Sequence, residues 1–159
     1  KYSISKFDIL LKPKNEPTNN FCLPSGGYRE PKSFYKKANI VLQEGKDFKR
    51  VITIKKDENI KELPAKTILL TAISKPKRLL EFLPKNIKMI SFPDHHNFTK
   101  EEILDIQNEY KDYAILTTGK DMVKLKEFNL ENLYLMDLCI KIDEKVDFSS
   151  MNSYINSFK

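Results

Sequence analysis

Both histidines of the chain, His95 and His96, stand side by side in the stretch Ser91-Phe-Pro-Asp-His-His-Asn-Phe98. Imidazole titrates near neutrality unaided, and a neighbouring carboxylate can orient the ring and raise its pKa. Asp94 and His95 together are therefore a candidate general base or proton relay. The plainer alternative is a loop histidine that only caps the next helix. A metal centre on His95 and His96 is disfavoured, because adjacent side chains point apart and no third histidine or suitably spaced cysteine is at hand. Lys120 and Asp121, following Thr117-Thr-Gly119, could hold a phosphate or carboxylate at a helix start, with Asp121 serving only as an N-cap as the alternative. Arg29 and Glu30 follow Gly26 and Gly27 and suit bidentate anion contact or magnesium-linked water; a local ion pair between them would contribute at most about 1 kcal/mol. Lys75, Lys77 and Arg78 could bind an anion, or simply form a solvated first turn.

The elements that must position these residues follow from hydrophobic patterning. Ile87–Ile90 is short, apolar and fit for a buried strand, while Thr99-Lys-Glu-Glu102 has the capping-box form that starts a helix. Asp94 and His95 thus fall at the carboxyl end of a strand, the edge where ligands bind in parallel α/β sheets. From Thr67 onward the order is regular: strand Thr67–Thr71, helix Lys75–Leu83 with Pro76 near its first position, strand Ile87–Ile90, helix Thr99–Tyr110, strand Tyr113–Thr118 and short helix Asp121–Glu127. Such alternation implies a parallel sheet. Three polar loops, Ala72–Arg78, Pro93–His96 and Thr117–Asp121, would then leave the sheet at one edge.

Ahead of that region, strands are expected at Phe7–Leu11, Asn39–Leu42 and Val51–Ile54, with a short helix over Pro31–Lys37. Residues 57–64 are charged and irregular and read as a lobe boundary. Tyr134–Ile142 is extended, with Leu138, Ile140 and Ile142 alternating with Cys139, Lys141 and Asp143, as suits a two-sided ribbon. The tail 147–158 reads as a weak terminal helix. The abrupt opening at Lys1, close to a strand, implies an N-terminal truncation.

At 159 residues, 40% hydrophobic and 31% charged, the chain can bury a core and is not broadly disordered. Cys22 and Cys139 are far apart and read as thiols in a reducing compartment. No apolar run reaches the roughly 18 residues of a membrane span. The net charge of +6 comes from scattered lysines without an arginine-rich helix, which argues against a nucleic-acid partner and suits an anionic membrane surface or a phosphorylated ligand. Neither Gly45-Lys46 nor Gly119-Lys120 has the upstream glycine and following hydroxyl residue of a phosphate loop. That nucleotide cradle is therefore absent from this segment.

Taken together, Leu23-Pro-Ser-Gly-Gly-Tyr-Arg-Glu-Pro31, Ala72-Ile-Ser-Lys-Pro76, Phe92-Pro-Asp-His95 and Thr117-Thr-Gly-Lys-Asp-Met-Val-Lys-Leu125 resemble, in order, the tetraacyldisaccharide 4'-kinase family of lipid A synthesis. The resemblance implies an α/β fold. It would be a three-layer, P-loop-kinase-related C-terminal lobe with a parallel sheet, plus the end of a first α/β lobe and a two-stranded linker ribbon. Residues 1–50 would be the remnant of the nucleotide-binding lobe, 51–66 the linker, and 67–159 the C-terminal lobe, with 134–143 as the returning ribbon strand. It further implies phosphate transfer from ATP, with Mg2+, to the 4'-hydroxyl of a lipid disaccharide at the cytoplasmic face of the bacterial inner membrane, by a monomer. ATP and Mg2+ would be held mainly by the part preceding this segment. In that frame His95 matches the histidine that pairs with a first-lobe aspartate as base, and Arg29 and Glu30 match the cleft-lining pair. Gly119 departs from the family's T-T-E-K-D pattern, and Gly27-Tyr28 replaces the usual Pro-Leu. Without its phosphate loop the isolated segment is not expected to turn over ATP. A non-catalytic α/β module for a phosphorylated ligand is the alternative, and an unrelated hydrolase using His95 a third reading that lacks an evident nucleophile.

Overall fold

The structure is a computed structural model that describes residues 6–158. The chain divides into two compact units, one from the described parts of Lys1–Arg50 and Ile140–Lys159, the other from Val51–Cys139.

In the second unit β5 (Thr67–Thr71) is an inner strand of a sheet, with every residue buried. It pairs in parallel with β6 (Lys88–Ser91) on one side and β7 (Ala114–Thr118) on the other. β7 in turn pairs in parallel with β8 (Leu133–Ile142). Beyond β8 come β3 (Phe48–Lys56) and the short β4 (Asn59–Ile60), giving the order β4-β3-β8-β7-β5-β6. The chain moves outward from β5 to β6 and then returns to β7, so strand order reverses between β5 and β7. In an open α/β sheet the carboxyl side of that reversal is the ordinary ligand crevice.

Alternation along the strands builds two cores, one per face. Ile68, Leu70 and Ile115 pack with Ile103 and Ile106 of α1 (Lys100–Glu109) and with Leu125 of α2 (Gly119–Leu125). Leu69, Leu116 and Met136 pack with Ile54, Leu79 and Leu83. A sheet covered on both faces is the three-layer α/β arrangement expected from the β-α-β pattern.

Several local expectations change. The segment expected as an α-helix over Lys75–Leu83 is a 3-10 helix over Pro76–Phe82 with no side-chain cap. Pro84 forces the residue before it out of helical geometry, and Leu83 is accordingly extended at φ −121° and ψ 156°. The expected helix Asp121–Glu127 begins earlier, at Gly119, because Thr118 is the N-cap. Pro31–Lys37 contains a 3-10 helix over Lys32–Lys37. The stretch read as irregular contains a hairpin, β3 to β4, turned by Asp57 and Glu58 at φ 48° and 66°.

The first unit holds β1 (Ile9–Lys12) and β2 (Ile40–Gln43), a two-stranded parallel sheet. It also holds the chain's last helix, α3 (Ser149–Asn156). The sequence reading continues the C-terminal lobe to residue 159, whereas the residues from Ile140 group with the first unit. Tyr154 meets the Phe7 ring at 5.3 Å, and the Asp143 N–H donates to the Asp47 carbonyl at 2.9 Å. Both points where the chain passes from one unit to the other, Arg50 to Val51 and Cys139 to Ile140, lie inside strands β3 and β8. Among the described residues no helix is long and apolar enough to cross a membrane.

Candidate active site

β5, β6 and β7 end at Thr71, Ser91 and Thr118, and the three loops that leave them are bonded to one another. The Phe92 N–H donates to the Thr71 carbonyl at 2.9 Å and the His95 N–H to the Ala72 carbonyl at 3.2 Å. From the β7 side, Lys124 Nζ donates to the His96 carbonyl at 2.6 Å. The rim of unit 2 is thus a single cross-linked surface built from the three loops named in the sequence.

Asp121 provides the tightest of these links and corrects its expected role. It is 1% exposed, and its Oδ2 accepts from Thr71 Oγ1 at 2.8 Å, the Ala72 N–H at 3.0 Å and Thr118 Oγ1 at 2.9 Å. A carboxylate removed from water needs its lone pairs filled, and three converging donors fill one oxygen. The side chain ties together the carboxyl ends of β5 and β7, where strand order reverses. It is not the N-cap: the Thr118 hydroxyl takes that position and accepts the Asp121 N–H.

Asp94, His95 and Lys120 are left open at the rim, as are the exposed Lys75, Lys77 and Arg78 of the first loop. The His95 side chain is 75% exposed, with Nε2 3.8 Å from Asp94 Oδ2. Lys120 Nζ lies 4.0 Å from Asp94 Oδ1. Neither approach is a hydrogen bond, so Asp94 does not clamp the ring as a bonded orienter would. His95 itself has φ 65°, a left-handed conformation that costs a non-glycine residue about 1–2 kcal/mol. It sits inside a turn closed by the His96 N–H to the Pro93 carbonyl at 3.1 Å.

The hydrogen-bonded histidine is His96. Its Nε2 lies 2.9 and 3.1 Å from the two carboxylate oxygens of Glu102. Its ring stacks on Phe92 at 4.6 Å and meets Phe98 edge-on at 5.6 Å. Glu102 also accepts the Thr99 N–H at 2.8 Å, completing the capping box. The His96 hydrogen bond first, and then the Thr99 N–H, hold the Glu102 carboxyl below its ordinary range. Sequence reading missed His96 and Glu102 as a pair; the available signal was an aromatic on either side of a histidine, three residues ahead of a capping box.

Arg29 and Glu30 belong to the first unit, where both are exposed. Among the described residues they form no ion pair with each other, so the local pair offered as their plainer reading is not made. Their loop is closed by the Leu23 N–H to the Tyr28 carbonyl at 2.7 Å and the Gly26 N–H to the Cys22 carbonyl at 3.0 Å. A side chain at position 26 would put its Cβ 2.1 Å from the Phe21 carbonyl oxygen, so only glycine fits there. Next to Arg29, Tyr28 is buried, and its hydroxyl donates to Glu16 Oε2 at 3.0 Å. Lys12 and Lys32 pair with the same carboxylate. Hydrogen bonds from Lys12, Lys32 and Tyr28, in that order of weight, pull Glu16 down to about 2.

Among the described residues no cluster of three or more histidine, cysteine, aspartate or glutamate side chains could hold a metal ion.

A family profile described as tetraacyldisaccharide-1-P 4'-kinase matches residues 5–155. The chain is 98% identical over its full length to a tetraacyldisaccharide 4'-kinase of Aliarcobacter butzleri, of which it covers 51%. It is 36% identical over its full length to one of Campylobacter jejuni subsp. doylei, of which it covers 49%. The chain therefore spans about half the length of the curated relatives it matches. Among solved structures, the "apo" form of LpxK from Aquifex aeolicus in complex with ATP superposes with a TM-score of 0.58 over 95% of this chain and 52% of that one, at 22% identity. At that identity the likeness concerns the fold, which is α/β in both.

Proposed function

Since the chain belongs to the tetraacyldisaccharide-1-P 4'-kinase family, we propose that it is the C-terminal half of a kinase that transfers the γ-phosphate of ATP to the 4'-hydroxyl of a tetraacyldisaccharide 1-phosphate. The observation that carries this reading is the exposed His95 ring on a rim where three strand-end loops are bonded together. In the proposed reaction the 4'-hydroxyl loses its proton to the His95 imidazole as its oxygen bonds to the γ-phosphorus, and ADP departs with the electrons of the broken P–O bond. Lys120, largely exposed and only loosely paired, remains free to meet phosphate charge. Arg29 and Glu30 are kept, on the family resemblance, as proposed substrate-binding residues of the first unit. Asp121 is left with the structural role described above.

Residues 1–50 are read in this proposal as the end of a nucleotide-binding lobe, with β3 and β8 carrying the chain between lobes. The nucleotide's phosphate cradle and any Mg2+ belong to the part of the parent outside this chain, and no step is derived through the metal. The lysine excess and the exposed Phe21 and Leu23 suit a monomer attached peripherally to the anionic cytoplasmic face of a bacterial inner membrane, where its lipid substrate resides.

The test is 4'-kinase turnover of the full-length parent carrying His95→Ala. A loss of about 10²–10⁴-fold in kcat is expected for removal of a general base. Wild-type turnover would remove His95 from the mechanism.

A further inference from the structure

The second histidine of the rim is the better anchored of the two. Its imidazole is bonded to both oxygens of Glu102, lies between Phe92 and Phe98, and has its own carbonyl held by Lys124. His95, next in the chain, occupies a left-handed conformation that the local backbone disfavours, and on its own side chain it has only a loose coulombic neighbour. A strained residue keeps its geometry only when its surroundings over-determine it. Here the over-determination comes from the residue after it: the turn closes on the His96 N–H, and His96 cannot shift without breaking the Glu102 pair and the aromatic stack.

We propose that His96 and Glu102 form a latch that positions His95 for proton transfer, fixing the Pro93–His96 turn to the first turn of α1. This inference rests on the reading of His95 as the base. Glu102 suits the part because it is already immobilised by the Thr99 capping box, so the latch hangs from the helix frame and not from another loop. His96 and Glu102 are positioning residues; neither acts on the substrate.

A merely structural ion pair would change folded yield or midpoint and leave the kinetics of folded enzyme alone. A positioning latch acts on kcat. In the full-length parent, His96→Phe keeps the aromatic contact and removes the bond to Glu102, while Glu102→Gln keeps an acceptor for the Thr99 N–H and removes the charge. Each is expected to lower kcat by about tenfold or more, as misplacement of a reacting group does, with KM for ATP and for the lipid disaccharide within about twofold of wild type. The double variant should be no slower than the slower single one, since both break one interaction. His96→Gln, which restores a donor toward Glu102, should recover part of the rate. Should His96→Phe fail to fold, Glu102→Gln at its partly exposed site decides alone. Folded Glu102→Gln with kcat within about twofold of wild type, a loss confined to KM, or losses that multiply in the double variant would each overturn the latch. His95→Ala run alongside separates the two readings: wild-type turnover there sinks both, whereas an inactive His95→Ala beside a fully active Glu102→Gln sinks only this one.

Discussion

At the scale of the residue, backbone conformation and side-chain chemistry at position 95 make separable demands. Asparagine visits the left-handed region through local side-chain hydrogen bonds but cannot serve as a base near neutrality. His95→Asn in the full-length parent should therefore leave the thermal midpoint unchanged or slightly raised while kcat falls by about 10²–10⁴-fold; a midpoint measured beside the turnover checks both halves. Asp121 makes the opposite demand. Asp121→Ala would leave the Ala72 N–H and the Thr71 and Thr118 hydroxyls without their acceptor. Hydrogen bonds to a buried charge contribute about 1.5–3 kcal/mol each, without simple additivity. A destabilisation of about 3 kcal/mol is expected, read as lost hydrogen-exchange protection of the β5 and β7 amides. Glu16 sets a pH dependence. Its folded value of about 2 lies below its ordinary 4.5, so between those values the unfolded chain binds more protons and stability rises with pH. The contribution of the Lys12–Glu16–Lys32–Tyr28 cluster is thus complete above about pH 4.5 and disappears as pH falls through about 2. The difference in midpoint between the parent and its Glu16→Gln variant, followed from pH 7 to pH 2, should shrink over that window.

At the scale of the element, what could be read ahead depended on whether the deciding interaction was local. The helix after His95 was legible because Thr99 and Glu102 cap each other three residues apart, and both bonds are present. The helix after Gly119 was placed late because Asp121 was weighed as a cap, when the hydroxyl three residues earlier held that position. Segment Pro76–Phe82 carried an apolar face fit for a helix, but lacking a cap and bounded by prolines on both sides it remained a 3-10 turn. β5 carries the heaviest structural load. Leu69 is fully buried against Leu79, Leu116 and Met136, so Leu69→Ala should destabilise by about 2–5 kcal/mol through lost transfer energy and the cavity left behind. Hydrogen-exchange protection of the central strands checks this directly.

Across the whole molecule, the alternation of strands and helices from Thr67, the gathering of three loops at one sheet edge and the place of His95 among them were legible in the residue order alone. Each of these rests on short-range signals, such as hydrophobic period, capping spacing and proline positions, that act before distant parts of the chain meet. The sequence also carried four ordered motifs that resemble the family to which the chain belongs. Long-range packing adds that Asp121 is walled in as a strut and that residues from Ile140 group with the first unit. Both outcomes depend on contacts between segments far apart in the chain, Thr71 with Asp121 and Phe7 with Tyr154. The choice between the adjacent histidines is made within six residues, where Phe92 and Phe98 pack on the His96 ring and Glu102 bonds it.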